Sequence, residues 1–410
     1  MALSLVRTAL GKSYQNLLQD VGKNPVFKSY GIRGVPGTFI TCQVAFISCK
    51  KLRQDIQKPP PFPYQTKKYG YLRSIFDLTT KRFDENTKVI VVDGNIAAGK
   101  TSFSKKLAEE LDMKYVREPV VDMKYIQNGY NMKQLDPYLP DSLKSFVLQD
   151  FLKNPLHKRV ASFQLDFFVL RLEMYIDAIC HLLNTGEGII MDRCVYSDMV
   201  FLETMFKFGY VSKQARNVYY RIRKRGIEDL LRPHLVIYLD VPAETCLERI
   251  KRRATPHEVN TKVLTLDYLK TLEHVYKTRY LKEMSVNSEI LVYDWSEYGD
   301  VDVVVEDIER LDFDNYDLDD LKCVDWKIED VRHWNEIRME FTNDKEGILE
   351  NINFPDLEAE ELIVSAEDMM KYDQVVVEVD ELKFAEGFNP AVGDKWVLFK
   401  TKPAPRKTLI

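Results

Sequence analysis

The sequence of 410 residues has no uninterrupted run of about 18 apolar residues, which argues against a membrane-spanning helix. Glycine and proline number only 17 each, which excludes collagen-like and low-complexity structure. The six cysteines lie far apart, without CxxC pairs or matched histidine spacings, so neither a disulfide framework nor a zinc site is indicated. Dinucleotide GxGxxG, iron–sulfur and haem motifs are also missing, and no carrier for redox chemistry is visible.

The remaining composition is that of a large folded protein. Hydrophobic residues make up 45% of the chain and charged residues 30%, which is enough apolar material for a sizeable core. The length corresponds to roughly two domains. Wholesale disorder is therefore excluded.

Charge is distributed unevenly, although the formal net charge is only −5. Residues 1–58 contain nine basic and two acidic residues, whereas residues 294–385 contain 30 acidic and 8 basic ones, a local net charge of −22. Such asymmetry is typical of a targeting segment, a tail or a partner surface. The acidic balance argues against binding to nucleic-acid polymers, since a phosphate backbone requires clustered basic surface.

The N-terminal residues 1–45 have the pattern of a mitochondrial transit peptide. Apolar residues recur near helical spacing in MALSLVRTALGKSYQNLLQDVG, with basic residues between them, whereas a secretory signal has an uninterrupted apolar core. We predict import into mitochondria with a cleavage site that the sequence does not fix; the alternative is a frayed, mildly basic N-terminus. Residues 46–86 are predicted to form an extended strap, because KPPPFPY (Lys58–Tyr64) cannot continue a helix.

A short apolar strand leads into a phosphate-binding loop. TKVIVVD (Thr87–Asp93) is typical of a central parallel strand, and GNIAAGKT after it fits G-x-x-x-x-G-K-S/T. The glycines let backbone N–H groups point at phosphate oxygens, the lysine would neutralise the terminal phosphates, and the threonine would ligate Mg²⁺. The alternative is a strand-to-helix turn with a chance lysine. The predicted phosphate-binding residues of the loop are Gly94, Ala97, Ala98, Gly99, Lys100, Thr101 and Ser102.

Strand-then-helix alternation continues along the chain. The further candidate strands are Lys114–Arg117, Gly188–Asp192, His234–Val241 and Glu289–Tyr293. We predict an α/β fold, a P-loop doubly wound five-stranded parallel sheet, in a domain over residues 87–312. An irregular, partly helical acidic C-terminal extension, residues 313–410, is predicted to serve in docking. Trp295, Trp326 and Trp334 suit such a surface, or they pack the extension onto its own core.

Polar groups follow the strands where a ligand-facing edge should lie. Glu118, held by Pro119 after the second strand, could take a proton from an attacking hydroxyl, or it initiates a helix. Gln164 and Arg171 lie two helical turns apart and suit reading a nucleobase edge, although most such residues are surface residues.

Two basic groups follow later strands. Arg193 could clamp a phosphate while Asp198 pairs with Arg171; the alternative for this segment is a capped helix N-terminus. The run ERIKRR (Glu248–Arg253) could be a mobile lid that places Arg252 and Arg253 near phosphates, or a solvated helix face. We predict Thr101 and Asp192 as Mg²⁺ ligands when a nucleotide is bound.

Together, DGNIAAGKT, REPV, SFQLDFFVLR, DRCVYSD and ERIKRR closely resemble the deoxynucleoside kinase family. The resemblance implies that Glu118 is the general base, that Gln164, Arg171 and Asp198 hold the nucleoside, and that the lid arginines attend the phosphates. Three features depart from the family. The kinases have Glu-Arg-Ser where this chain has Asp192-Arg193-Cys194, and they have a tryptophan at the position of Met123. The lid also looks longer, so that Glu258 is only a candidate for the sugar-binding glutamate.

A closer resemblance extends on both sides of this core, through PYQTKKYGYLRSIFDLTTKRFDENTKVIVVDG, PHLVIYLDVP and LVYDWSEYGDVDVVVEDIERLDF. These segments are similar to the kinase-derived accessory subunits of mitochondrial respiratory complex I. This resemblance implies a non-catalytic subunit on the matrix side, peripheral to the inner membrane, with other complex I subunits as partners. An ATP, ADP or deoxynucleotide with Mg²⁺ could be bound; FAD is implied by the subunit family alone. The alternatives are an active mitochondrial deoxynucleoside kinase and a regulatory nucleotide sensor.

Overall fold

The computed structural model describes residues 47–50, 58–127, 129–259, 261–313, 320–353, 357–383 and 409. The predicted transit peptide, residues 1–45, lies outside the described residues. None of the helices among the described residues is long and apolar enough to cross a membrane.

A five-stranded parallel sheet forms the centre of the molecule, as predicted. Its spatial order is β2-β5-β1-β6-β7, and a two-stranded antiparallel hairpin, β3-β4, lies apart from it. In register, Val91 pairs with Met191 on one side and with Val236 on the other. The strands are β1 Val89–Gly94, β2 Lys114–Val116, β3 Ile126–Gln127, β4 Tyr130–Asn131, β5 Ile189–Asp192, β6 Leu235–Asp240 and β7 Glu289–Asp294.

Burial explains why the apolar runs form the central strands. Every residue of β1 is buried, and five of the six in β6 are buried, because helices cover both faces of the sheet. The edge strand β7 has no fully buried residue. Connecting all five strands in parallel brings their carboxyl ends, and the polar residues after them, to one edge.

The helices are long where they cross the sheet and short elsewhere. The longest helix has 19 buried residues, and its apolar ones belong to the same core cluster as Val89 and Met191 of the sheet. It ends at Gly186, which has the left-handed conformation. The helices are α1 Tyr71–Phe76, α2 Lys100–Leu111, α3 Leu148–Lys153, α4 Val160–Thr185, α5 Met199–Lys207, α6 Lys213–Ile227, α7 Ala243–Arg253, α8 Pro256–Val259, α9 Leu266–Val275, α10 Leu281–Met284, α11 Val301–Glu309, α12 Val331–Asn343, α13 Lys345–Glu350, α14 Ala366–Val377 and α15 Asp380–Lys383.

The described residues of the strap are 47–50 and 58–86, and the second stretch differs from the extended segment predicted for residues 46–86. It contains α1 and a 3₁₀ turn, Thr79–Arg82, because the proline run ends at Pro63 and the chain beyond it is free to turn. Phe62 and Tyr64 are buried, and the Phe62 N–H donates to the carbonyl of Asn184 on α4 at 3.0 Å. The strap therefore packs onto the core instead of running loosely over it.

The C-terminal extension also packs onto the core through its first long helix, α12. Arg338 on α12 is fully buried and donates to the side chain of Asn184 at 2.9 Å and to the carboxylate of Asp77 at 3.1 Å. Its guanidinium lies 3.8 Å from the ring centroid of Tyr69. One arginine thus joins the extension, the strap and the core.

Trp295, Trp326 and Trp334, the tryptophans weighed for docking, pack inward. Trp295 and Trp334 are each only 4% exposed, and the indole N–H of Trp326 donates to the carbonyl of Arg232 at 2.7 Å. Of the two interpretations weighed for these residues, the geometry fits packing onto the protein's own core. The docking role of the extension, which does not depend on them alone, stays a prediction.

Candidate functional site

A cleft of about 920 Å³ opens at the carboxyl ends of the strands. This volume is typical of small-molecule sites. The cleft is bounded by the phosphate loop, by one face of α4 and by the lid helix α7. Of the predicted site residues, those that line it are Ala97, Gly99, Lys100, Thr101, Ser102, Glu118, Gln164, Arg171, Arg193, Arg252 and Arg253.

The phosphate loop has the backbone that its glycines predict. Gly94 and Gly99 have φ of +153° and +99°, and a Cβ at Gly94 would lie 2.8 Å from the carbonyl oxygen of Leu239. Only glycine fits there without displacing β6. The non-glycine Ala97 also lies in the left-handed region, with φ of 60°, so the loop curls tightly before α2 begins.

Lys100 folds back onto this loop. Its ammonium donates to the carbonyls of Gly94 at 3.2 Å and Asn95 at 2.8 Å. Burial and the nearby Arg193 lower the pKa of Lys100 to about 7, against the opposing pull of surrounding carboxylates. A phosphate group placed among the loop N–H groups would supply the negative charge that favours the protonated lysine.

Asp192, at the end of β5, accepts hydrogen bonds from three hydroxyl groups. The donors are Thr101 at 2.7 Å, Ser104 at 2.5 Å and Tyr115 at 2.8 Å. Thr101 and Asp192, the two predicted Mg²⁺ ligands, are therefore adjacent, and both offer the oxygen atoms that Mg²⁺ prefers. Among the described residues, no group of three or more His, Cys, Asp or Glu side chains could hold a metal. Mg²⁺ would thus need phosphate oxygens and water as its other ligands.

Glu118 bridges two arginines. One carboxylate oxygen accepts from Arg171 and the other from Arg193, each at 2.5 Å. Burial raises the pKa of Glu118, but the two guanidinium groups outweigh it and lower the pKa to about 2. Glu118 is consequently held as a carboxylate at neutral pH and has little tendency to accept a proton in this arrangement.

Asp198 collects the residues predicted to hold a nucleoside. Its carboxylate accepts from the amide of Gln164 at 2.8 Å, from Arg171, and from the hydroxyl of Tyr219 at 2.5 Å. Burial nevertheless raises the pKa of Asp198. Gln164 donates one N–H of its amide to Asp198. The amide also has a second N–H and a carbonyl oxygen, a donor and an acceptor that a nucleobase edge could meet.

Aromatic rings fix the two arginines. The ring centroid of Phe201 lies 5.1 Å from the guanidinium carbon of Arg171 and 4.9 Å from that of Arg193. Arg193 has a left-handed backbone, φ 57°, and also donates to the carbonyl of Gly94. These contacts place both guanidinium groups at the cleft wall in one arrangement.

The lid arginines divide into different roles. Arg253 pairs with Glu258 at 2.5 Å, so the candidate sugar-binding glutamate is engaged with the lid itself. Arg249 donates to the carbonyl of Ala98 at 2.9 Å and lies 4.5 Å from the ring of Tyr298. Tyr298 also covers the phosphate loop, since a Cβ on Gly99 would approach its ring to 2.9 Å.

Sequence reasoning missed several contributors to this site. Tyr115, Phe201, Tyr219 and Tyr298 belong to none of the binding motifs, and the contacts they make depend on the fold. Tyr115 stood in the predicted strand Lys114–Arg117 and Tyr298 in the segment LVYDWSEYG, but neither was assigned a role at the site. The roles assigned to the site residues from sequence stay predictions. Four of the predicted residues are not in the lining of the cleft, but each is hydrogen-bonded to a residue that is: Gly94, Ala98, Asp192 and Asp198.

A family model and a curated relative both relate this chain to deoxynucleoside kinases. The family model described as deoxynucleoside kinase matches residues 90–338, more than half of the chain. A deoxyguanosine kinase of Dictyostelium discoideum is 30% identical over 57% of this chain and 73% of its own length. The solved structure of a deoxyadenosine kinase from M. mycoides with bound dATP has a TM-score of 0.42 at 21% identity, and covers 54% of this chain and 98% of that one.

Similarity over a longer span is found with a subunit of the respiratory chain. The rat protein named NADH dehydrogenase (ubiquinone) 1 alpha subcomplex subunit 10, mitochondrial, is 36% identical over 81% of this chain and 90% of its own length. The bovine protein of the same name is 34% identical over 81% of this chain and 93% of its own length. The chain therefore belongs to the deoxynucleoside kinase family, in the branch that includes these NADH dehydrogenase subunits.

Proposed function

We propose that this chain is an accessory subunit of mitochondrial NADH dehydrogenase, complex I, peripheral to the inner membrane on the matrix side. Its partners are other subunits of that complex. The observation that carries the proposal is the 36% identity with a complex I subunit over 81% of the chain. The kinase relative from Dictyostelium matches only 57%, so the similarity to the subunit extends well outside the shared kinase domain.

The packing of the added segments supports a structural role. The strap and α12 meet in a buried cluster in which Asn335 accepts hydrogen bonds from the backbone N–H and the hydroxyl of Thr79, at 3.0 and 2.8 Å. Asn343 exchanges two bonds with the backbone of Tyr69, at 2.9 and 2.8 Å. Two segments distant in sequence are thus ordered against each other, which gives the protein a fixed surface away from the cleft.

We further propose that the cleft does not turn over a kinase reaction. A general base works best with a pKa near the operating pH, whereas that of Glu118 is lowered to about 2 by its arginine partners. Asp192 stands where the kinases have glutamate, and its side chain is one methylene shorter. Its carboxylate already accepts hydrogen bonds from three hydroxyl groups of this chain. A misplacement of about 1 Å in such a group can cost roughly 10²-fold in rate.

Nucleotide binding is compatible with this loss. The phosphate loop keeps its backbone, its lysine and the adjacent Thr101–Asp192 pair, and α2 adds its positive N-terminal end. We propose an adenine nucleotide or deoxynucleotide with Mg²⁺ as the ligand; nothing in the cleft favours FAD. A ligand present at 100 times its dissociation constant would stabilise the folded chain by about 2.7 kcal/mol.

The alternative to be tested is an active kinase, because Lys100, Glu118 and Arg193 of the kinase pattern still line one cavity. Purified protein, Mg·ATP and each natural deoxynucleoside separate the two. We expect no phosphorylated product, while Mg·ATP raises the melting temperature of the wild-type chain and not that of Lys100→Ala. Product formation that disappears in Glu118→Gln would overturn the non-catalytic proposal.

A further inference from the structure

The strap helix α1 turns its apolar side outward. Tyr71, Leu72, Ile75 and Phe76 are 75%, 77%, 55% and 84% exposed. At helical spacing these four residues occupy one side of α1, and no residue of the helix is buried. An amphipathic helix on a globular protein ordinarily directs such a side to the core. α1 does the reverse.

Both ends of α1 are nonetheless anchored. Before it, Tyr69 is fully buried, and its backbone N–H and carbonyl are both hydrogen-bonded to the side-chain amide of Asn343. After it, the carboxylate of Asp77 pairs with Arg82 at 2.8 Å and with Arg338 at 3.1 Å. The side chain of Asn335 also donates to the carbonyl of Ser74, at 3.2 Å, within the helix. The outward side is therefore held in place by α12 of the C-terminal extension.

The charged residues that adjoin this side along the chain are all cations. Residues 63–76 contain Lys67, Lys68 and Arg73 and no acidic residue, and all three basic residues are exposed. Arg73 lies over the ring of Phe62 at 5.1 Å, which leaves the apolar side chains to project beyond it. The nearest acidic residue along the chain, Asp77, is neutralised by its two arginine partners.

Exposed aromatic and aliphatic side chains flanked by cations are the chemistry of an interfacial membrane contact. The apolar groups enter the boundary between headgroups and acyl chains, and the lysines meet anionic headgroups. A protein partner would need an apolar pocket shaped for four protruding side chains with acidic groups placed at its rim, whereas an anionic bilayer offers an apolar interior and negative headgroups without a matching shape. We propose that α1, with Lys67 and Lys68, is a docking surface for an anionic lipid bilayer. This inference does not depend on the cleft or on assembly with other subunits.

Flotation of the full chain with vesicles tests the proposal. Phosphatidylcholine vesicles with and without an anionic lipid, cardiolipin or phosphatidylglycerol, are compared for the wild type, Leu72→Gln/Phe76→Gln and Lys67→Glu/Lys68→Glu. The matched control is Leu357→Gln, which changes a leucine that is 79% exposed on the extension. Every variant keeps the basic residues 1–58, so any contribution from that segment is common to all of them.

We expect the wild type and the Leu357 control to float with anionic vesicles and not with neutral ones. Lys67→Glu/Lys68→Glu should lose at least tenfold in partitioning, since each cation near an anionic surface contributes roughly a fivefold factor. Leu72→Gln/Phe76→Gln should lose a similar factor, because it removes two of the four apolar groups whose burial drives interfacial binding. Equal flotation of all variants would overturn the proposal. Failure of the wild type to float with anionic vesicles would also overturn it, even if the variants lost their attachment to other subunits, because the surface would then bind protein and not lipid.

A second measurement needs no variant. Hydrogen exchange of the wild-type chain should slow in peptides covering residues 67–76 when anionic vesicles are added. Unchanged exchange there, with vesicle binding intact, would assign the contact to another part of the chain and would contradict the proposal.

Discussion

Arg338 offers the sharpest test of how the strap and the extension are held. The residue has 0% side-chain exposure, pairs with the carboxylate of Asp77 at 3.1 Å and donates to Asn184 at 2.9 Å. Burial lowers its pKa, although the Asp77 carboxylate opposes this. Replacing it with alanine removes the charge partner and leaves the amide oxygen of Asn184 without this donor.

The expected cost follows from these contacts. Removing one partner of a buried ion pair costs about 3–5 kcal/mol. Asp77 keeps Arg82 at 2.8 Å, so the lower limit of about 3 kcal/mol applies to Arg338→Ala. The unfolding entropy is roughly 2.1 cal/mol/K per residue, so a chain of this size loses about 1–2 °C per kcal/mol, and the melting temperature should fall by about 3–6 °C.

Urea denaturation of the purified chain, followed by tryptophan fluorescence, measures this loss. Arg332→Ala is the matched control, because Arg332 lies on the same helix and is exposed; it should stay within about 0.5 kcal/mol of the wild type. Arg338→Lys should recover only part of the loss, since an ammonium cannot reproduce the planar fork. An Arg338→Ala chain as stable as the Arg332→Ala control would show that the buried ion pair with Asp77 does not hold the strap and the extension together.

Three further outcomes are expected. Because the pKa of Lys100 in the folded chain is about 7, below its usual value of 10.5, the unfolded chain binds more protons between these values, and this group's contribution to stability rises with pH across that window. Phosphate binding should raise the pKa of Lys100 again, so calorimetry of Mg·ATP binding in buffers of different ionisation enthalpy should show more proton uptake at pH 8 than at pH 6, where Lys100 is already protonated. Heats at pH 8 that do not depend on the buffer would contradict this. Glu118→Gln should lower the free energy of unfolding at pH 7. The difference from the wild type should shrink as pH falls from about 4.5 towards 2, because a carboxyl whose pKa is lowered in the folded chain adds no stability below that pKa. A difference that does not change with pH would contradict this. Gly99→Ala should destabilise the chain by about 1–3 kcal/mol in denaturation, given φ of +99° and contact with Tyr298, whereas Gly209→Ala, with a positive φ and open space, isolates the backbone part of that cost.

The central strands were predictable because their local sequence and their environment agree. The apolar runs around Val89–Gly94 and Leu235–Asp240 are buried on both faces, and their predicted limits fall within two residues of the observed ones. The short hairpin at Ile126–Asn131 gave no such signal, since two-residue strands have no periodicity to detect. The helix in the strap was missed because its six residues make fewer than two turns, too short for helical periodicity to show in the sequence.

Only the site residues that belong to contiguous sequence motifs were predictable. GNIAAGKT identifies the loop from contiguous residues, whereas Tyr219 reaches Asp198 only through the packing of α6 against α4. The lowered pKa of Lys100 depends on burial and on Arg193, which are properties of the assembled fold. The inward-facing tryptophans show the same limit, because composition does not tell which way a side chain points.

Native electrophoresis of gently solubilised mitochondria, with the chain detected by antibody or mass spectrometry, tests the proposed function most directly. The account predicts that the chain migrates with NADH dehydrogenase activity in the complex I band, and that depleting the chain lowers the amount of that band. Migration solely as a free species, with complex I unaffected by its depletion, would contradict it.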